Sequence, residues 1–292
     1  MLELPVYVLI TPARNEANFI ELTLQSMVVQ TVRPLKWVIV SDGSTDETDR
    51  IVSRYASTHD WIELVRLPES RDRNFAAKVS AFDAGRTRIG DLRYDVIGSL
   101  DADISFEPDY FEFLLRKLAE NSKLGLVGTP FAEDGVTYDY RFASVEHVSG
   151  ACQVFRRECF EAIGGYTPMK YGGIDTVAVL SARMKGWQTR TFPEKHCDHH
   201  RKQGYATKSG LAVTFNTGFK DYLLGVDPIW QISRAAFRIP QKPYVIGGMV
   251  LLAGYVWPFL RRTPQTAPPE VIAFRRQDQR ARLRALLKKV FT

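Results

Sequence analysis

The chain has 292 residues, enough to bury a large core without disulfide or metal staples. Apolar residues make up 45% and charged residues 25%, which excludes collagenous, low-complexity and wholly disordered chains. The net charge of +6 belongs to the C-terminal tail: residues 261–292 hold nine Lys/Arg against Glu270 and Asp278, +7 in net, leaving −1 for all that precedes.

A nearly neutral body argues against nucleic acid as a partner. Cys152, Cys159 and Cys197 include no Cys-x-x-Cys pair and cannot close a disulfide framework, as expected in a reducing compartment. The N-terminus carries Glu3 and Pro5 and no basic segment, so it does not read as a secretory signal.

In chain order, Val6–Ile10 reads as a buried strand ending at Thr11-Pro12-Ala13-Arg14-Asn15-Glu16, followed by a helix from about Asn18 with Ile20, Leu24 and Met27 on one face. Trp37–Val40 reads as a second strand, closed by Ser41-Asp42-Gly43-Ser44. The next helix is expected to open at Ser44 or Thr45, with Asp46 and Glu47 in its first turn. Ile62–Leu67 is a third strand, Asn74–Arg88 a helix, and Val96–Leu100 a fourth strand that stops on Asp101-Ala102-Asp103. A helix with Pro108 in its first turn comes next. This alternation predicts βαβ units and a mostly parallel sheet.

Polar residues gather where these strands end, and in open α/β sheets that crevice is where ligands bind. No Gly-x-Gly-x-x-Gly follows the first strand and no Walker lysine motif is present, so phosphates are not expected in a glycine-rich cradle. Asp101 and Asp103 emerge together from an apolar strand, on the same side because side chains alternate. Two close carboxylates repel unless a cation is near, and Mg²⁺ or Mn²⁺ with a nucleotide diphosphate would answer that repulsion. The alternative is a solvated loop whose carboxylates cap the next helix.

Together these segments resemble the family 2, GT-A-fold glycosyltransferases, inverting enzymes that use nucleotide-sugar donors. The matching pieces are Thr11 to Glu16, Ser41 to Asp46, Lys78 to Gly85, Asp101-Ala102-Asp103, Gly150-Ala151, Arg156-Arg157, Ile163-Gly164-Gly165-Tyr166, Asp175 and Lys185-Gly186-Trp187. The resemblance implies an α/β fold with a mixed, mostly parallel Rossmann-like sheet flanked by helices. The domain would cover residues 1–209, with a nucleotide-binding half at 1–104 and an acceptor and base half at 105–209.

It also implies roles. Asp42 would accept hydrogen bonds from uracil or guanine, and Pro12, Ala13, Arg14 and Glu16 would line base and ribose. Asp101 and Ala102 would sit by the ribose or sugar, while Asp103 would approach the metal that bridges the diphosphate. Arg71, Arg73 and Lys78 lie where basic side chains steady the diphosphate or sugar. The donor would be a UDP-sugar or GDP-sugar and the ion Mn²⁺ or Mg²⁺.

Inverting transfer needs a base for the acceptor hydroxyl, and the family carries it in a Glu-Asp pair after the Gly-Gly-Tyr turn. Here that pair reads Ile174-Asp175. Asp175 is the expected base, kept dry by its apolar neighbour; capping a helix over 176–185 is its bland role. The missing Glu also motivates a rival reading, a degenerate scaffold subunit of a polysaccharide assembly complex. A nucleotidyltransferase is the rival enzyme, though it would need a Gly-rich basic loop near the first strand.

Three of the five histidines fall in His196-Cys197-Asp198-His199-His200, followed by Arg201 and Lys202. His199 or His200 is expected to complete the metal shell, with Arg201 and Lys202 clamping the diphosphate. A structural zinc site from His196, Cys197 and His199 fits poorly, since no second cluster is present. The loop from Gly204 to Gly210 reads as one that orders on donor binding.

From residue 210 the pattern is helical: Leu211–Leu224, Pro228–Arg238, then Tyr244–Leu260, which has no charged residue for 17 positions, and Ala281–Phe291. An apolar segment followed by a cationic one suits the cytoplasmic face of the inner (plasma) membrane, so residues 210–292 are expected to be a membrane-proximal extension presenting the enzyme to a glycan or polyprenyl-linked acceptor. The alternative is a helical subdomain or dimer contact in which Trp230, Phe237 and Trp257 are covered, and a homodimer is compatible with it.

Overall fold

In the computed structural model of the protein, residues 3–69, 75–133, 144–201, 210–240 and 242–290 are described. Arg71, Arg73, Lys202 and residues 204–209 of the expected ordering loop lie outside them. The chain divides into two compact units, residues 1–168 with 174–201, and residues 169–173 with 202–292.

The first unit begins β1 (Tyr7–Ala13), α1 (Ile20–Val28), β2 (Lys36–Asp42), α2 (Thr48–Ala56), β3 (Ile62–Leu67), α3 (Phe75–Arg88) and β4 (Val96–Leu100). It continues through β5 (Ile104–Ser105), α4 (Tyr110–Glu120), β6 (Leu124–Gly128), β7 (Phe131–Ala132), β8 (Cys152–Arg156), α5 (Arg157–Ala162), α6 (Ile174–Met184), β9 (Gln188–Thr191) and β10 (Cys197–His199). Seven strands form one sheet in the order β3-β2-β1-β4-β8-β6-β9. β3, β2, β1 and β4 run parallel, as do β6 and β9, whereas β8 is antiparallel to both its neighbours. The expected mixed, mostly parallel sheet flanked by helices is therefore present.

Continuous apolar strands need cover on both faces, and the period of two divides them between two cores. Tyr7, Leu9, Trp37, Ile39 and Val96 pack on one side with Ile20, Leu24 and Met27 of α1 and with α4. Val8, Ile10, Val38, Val40 and Ile97 pack on the other with Val79 and Phe82 of α3 and with α5 and α6.

Element ends differ from the sequence expectation where side chains do other work. β1 runs through Thr11-Pro12-Ala13 because β2 pairs with it as far as Ser41. Helix α2 opens at Thr48, not at Ser44 or Thr45, because Ser44, Thr45 and Asp46 are bonded to the loop after β1. Pro108 precedes α4, whose cap position is Asp109.

The second unit holds α7 (Gly210–Leu223), α8 (Pro228–Phe237), α9 (Ile246–Leu260) and α10 (Pro269–Val290). Buried Asp227 caps α8 by accepting from the Ile229 amide at 2.9 Å and also receives Arg280 of α10 at 2.6 Å. The expected final helix starts earlier than residue 281, and Leu286 of its apolar stripe is exposed.

The 17-residue apolar run does not behave as a span. Its helix has 15 residues, about 22 Å at 1.5 Å per residue, short of the roughly 30 Å hydrocarbon core. Among the described residues no helix is long and apolar enough to cross a membrane. α9 instead lies against α7 with backbones nearly touching: a Cβ on Gly254 would come 2.1 Å from the Phe215 carbonyl, and one on Gly218 2.1 Å from that of Leu251. Gly254→Val is expected to destabilise the protein by about 3 kcal/mol through overpacking, read as a lower urea midpoint.

Candidate active site

Parallel pairing of β2-β1-β4 brings three strand ends to one edge, and the loops there are laced to each other. Asn15, at φ +55°, accepts from the Thr45 amide through its side chain at 2.8 Å, while its own amide donates to Ser44 Oγ at 3.1 Å. The Glu16 amide donates to Thr48 Oγ1 at 2.8 Å and the Ala17 amide to Asp46 Oδ2 at 3.0 Å. Gly43 turns at φ +62° with its α-carbon so near Glu69 that a Cβ would sit 2.5 Å from the Glu69 backbone. Of the segment Ser41 to Asp46, then, Asp42 faces the cleft and the others hold the loop.

The cleft at this edge has a volume of about 610 Å³ and is lined by Pro12, Ala13, Arg14, Asn15, Glu16, Asp42, Ala77, Lys78, Ala81, Asp101, Ala102, Asp103 and Arg201. Nine of the residues expected to contact the nucleotide-sugar are among them, together with Asp103, while Arg71, Arg73 and Lys202 lie outside the described residues. Asn15, expected with the other strand-end polar residues to face the pocket, lines it too, whereas sequence reasoning missed Ala77 and Ala81; these two alanines, four apart on α3, leave the helix surface low beside Lys78.

The charges in the cleft are interlocked. Lys78 Nζ meets Asp101 Oδ1 at 2.5 Å, Arg14 reaches Asp42 at 3.4 Å, and Arg201 bridges Glu16 and Asp103, the latter at 3.3 Å. Burial works against the Lys78 ammonium, yet Asp101, helped by Asp175 and Asp103, raises it above the ordinary lysine value. Burial pushes the Asp101 carboxyl up despite Lys78, and Asp103 adds to the rise. Glu16 is pushed up to about 7 by burial, opposed by Arg201 and reinforced by Asp103 and Asp101. Thr23 of α1 fixes the backbone of the triplet, its buried hydroxyl lying 2.9 Å from the Ala102 carbonyl and 2.7 Å from that of Ile104.

A small second sheet, ordered β5-β10-β7, brings in a histidine from nearly a hundred residues away. Antiparallel pairing sets His199 opposite Ile104, and the His200 amide donates to the Asp103 carbonyl at 2.9 Å. Neighbouring residues on a strand face opposite ways, so the two histidines separate. The His199 side chain, 6% exposed, places Nε2 3.7 Å from Asp103 Oδ1. The His200 ring meets Ser105 Oγ at 2.8 Å, and His196 lies 3.7 Å from Asp198. Asp101, Asp103 and His199 each offer a donor atom within 4.8 Å of the other two. Two carboxylate oxygens and an imidazole nitrogen suit Mn²⁺ or Mg²⁺ better than a soft ion.

Asp175 does not line the cleft. It lies in the first turn of α6, which opens at Ile174, so it is not the helix cap. Its carboxylate is half-buried, with His147 Nε2 3.9 Å from Oδ2, a neighbour that sequence reasoning did not find. Ile174 packs against the second core. The Gly-Gly-Tyr turn is structural: Gly164 and Gly165 take φ of +74° and +82°, and buried Tyr166 packs among Phe82, Phe155 and Phe160 while donating to Gln153 at 2.9 Å.

The sheet order and the carboxylate-lined cleft at its edge define a GT-A-type nucleotide-sugar fold. Residues 8–173 match the family described as glycosyl transferase family 2, and the chain belongs to that family. A chondroitin synthase of Pasteurella multocida is 28% identical over 126 residues, 43% of this chain and 12% of that protein. The probable glycosyltransferase YdaM of Bacillus subtilis is 27% identical over 217 residues, 66% of this chain and 50% of that protein. The matched stretch thus spans half or less of these relatives. Among solved structures, the mannosyltransferase PcManGT of Pyrobaculum calidifontis, in complex with GDP-Man and Mn²⁺, superposes with a TM-score of 0.57 at 22% identity, covering 93% of this chain and 74% of that one.

The raised Glu16 carboxyl has a measurable consequence. The folded protein keeps a proton that the unfolded chain, with an ordinary value of 4.5, has released. Unfolding free energy should therefore fall as pH rises from about 4.5 to about 7, and Glu16→Gln should flatten that slope in urea titrations run without divalent cation.

Proposed function

We propose that the chain is a metal-dependent inverting glycosyltransferase that takes a sugar from a UDP-sugar or GDP-sugar donor and places it on a glycan or lipid-linked acceptor, in cell-surface polysaccharide or glycolipid synthesis. The observation that carries this reading is the convergence of Asp101, Asp103 and buried His199 at a cleft lined by Asp42, Arg14 and Lys78. Family membership supports the reaction class, and the fold neighbour solved with GDP-Man and Mn²⁺ supports the donor chemistry.

In this reading Asp42 accepts from the base, with Arg14 holding its carboxylate in place. Asp103 and His199 hold the cation, with Asp101 at its side. When bound, the ion supplies charge neutralisation for the departing diphosphate. Lys78, kept protonated by the carboxylates around it, steadies Asp101 and offers its charge to the donor. Arg201 is free to exchange its carboxylate partners for phosphate oxygens, a geometry guanidinium favours. Asp175 takes the acceptor proton and His147 orients it.

Asp175→Asn should keep binding UDP or GDP, seen as a thermal shift with Mn²⁺, while transfer falls at least about a hundredfold. Asp103→Ala should lose the Mn²⁺-dependent part of the thermal shift. Undiminished transfer by either variant rejects the role given to that residue.

The second unit is proposed to lie on a membrane surface, at its cytoplasmic face. Met249 (64% exposed), Phe259 (64%) and Leu260 (70%) of α9 face outward with Trp257, beside exposed Phe237 and Ile239. Arg261, over the Trp257 ring at 4.5 Å, and exposed Arg262 adjoin this apolar face. Aromatic and aliphatic side chains edged by arginines suit shallow insertion among anionic headgroups. The protein should float with vesicles containing phosphatidylglycerol. The combined change Met249→Glu, Phe259→Glu and Leu260→Glu should keep it in the dense fraction without altering its melting temperature; unchanged flotation rejects this face as the contact.

A further inference from the structure

The two ring nitrogens of His199 face different carboxylates. Nε2 is 3.7 Å from Asp103 Oδ1, and Nδ1 is 4.0 Å from Oε1 of Glu133, the residue that follows β7. Parallel pairing of β7 with β10 fixes this meeting, through Asp198 opposite Ala132. His199 Nδ1 and Glu133 Oε1 are both buried and, among the described residues, neither has a hydrogen-bond partner. Buried polar atoms without partners are costly and uncommon. Here two of them point at one another across a gap about 1 Å longer than a hydrogen bond.

A neutral imidazole carries one proton, and the two places for it are not equivalent. On Nε2 it would point at Asp103, and the Nδ1 lone pair would then oppose the Glu133 carboxylate. On Nδ1 it points at Glu133, and the Nε2 lone pair is left aimed at Asp103, an opposition that only a cation between them relieves. We propose that Glu133 is a positioning residue that holds the His199 proton on Nδ1 and thereby presents Nε2 as a ligand to the cation site. This rests on the metal reading of Asp103 and His199 given above. Such outer carboxylates orient metal-binding histidines and raise their basicity, and losing one lowers metal affinity by about 10- to 100-fold.

The test has two readouts, neither of them turnover. Long-range nitrogen-15 correlation spectra with Mg²⁺ and GDP or UDP bound should show His199 protonated on Nδ1. Glu133→Leu, which keeps bulk and removes the acceptor, should bind Mn²⁺ about 10- to 100-fold more weakly in electron paramagnetic resonance titrations with GDP or UDP. Glu133→Gln, whose amide oxygen can still accept, should bind it near the wild-type affinity. A proton on Nε2 in the Mg²⁺-loaded wild type, or unchanged Mn²⁺ affinity in Glu133→Leu, overturns the proposal and leaves Asp103 as a metal ligand intact. Failure of the wild type to bind Mn²⁺ with either nucleotide overturns the metal reading instead. Should Glu133→Leu not fold, the wild-type spectra and the Glu133→Gln affinity decide.

Discussion

Mutual repulsion among carboxylates at the strand ends governs the site. Glu16, Asp42, Asp101 and Asp103 line the cleft against Arg14, Lys78 and Arg201, so the carboxylates outnumber the cations. Burial sharpens this, because the charged forms lose water before they gain partners. Burial is the first cause of the raised Glu16 and Asp101 carboxyls, with repulsion from neighbouring carboxylates added to it, and the Asp101 carboxylate in turn raises the Lys78 ammonium against its own burial. A nucleoside diphosphate would bring further negative charge to these carboxylates. In the proposed reading a cation offsets that charge, and Asp101, Asp103 and His199 are groups that could hold one.

Much of this was legible in the sequence because strand ends announce themselves. An apolar run that stops at a polar cluster fixes both the strand and the edge at which its last side chains emerge, which is why the sequence alone assigns Pro12 to Glu16, Asp42 and Asp101 to Asp103 to one crevice. Their joint lining of a single cleft follows from the parallel order β2-β1-β4. The sequence could not separate a side chain that faces a ligand from one that ties two loops. Ser44, Thr45 and Asp46 read as the start of a helix, but their hydrogen bonds go to the loop after β1, and that demand delays α2 until Thr48.

The histidines show where one-dimensional reasoning stops. His199 and His200 are adjacent and chemically identical, and the choice between them depends on the register of strands only two or three residues long. Such strands carry no periodic signal. Once His199 pairs with Ile104, alternation sends one ring toward Asp103 and the other to Ser105. Glu133 and His147 belong to no motif quoted from the sequence and enter only because pairing brings their segments beside His199 and Asp175.

The C-terminal apolar run poses the reverse problem, since its composition is uniform and its packing is not. In α9 the side set against the rest of its unit is made of Gly247, Gly248, Leu251, Gly254, Tyr255 and Pro258, mostly small residues that admit neighbouring backbones. The bulky side chains Met249, Trp257, Phe259 and Leu260 are left on the outside. Burial from water alone would favour the opposite arrangement, with large side chains inward and small ones outward. A helix packed by its glycines gains close backbone contact but leaves its largest apolar surface uncovered, and an exposed apolar patch of that kind marks an interaction surface. The same feature that denies α9 the length and isolation of a transmembrane segment therefore equips it, in the proposed reading, to lie in the plane of a membrane rather than across it.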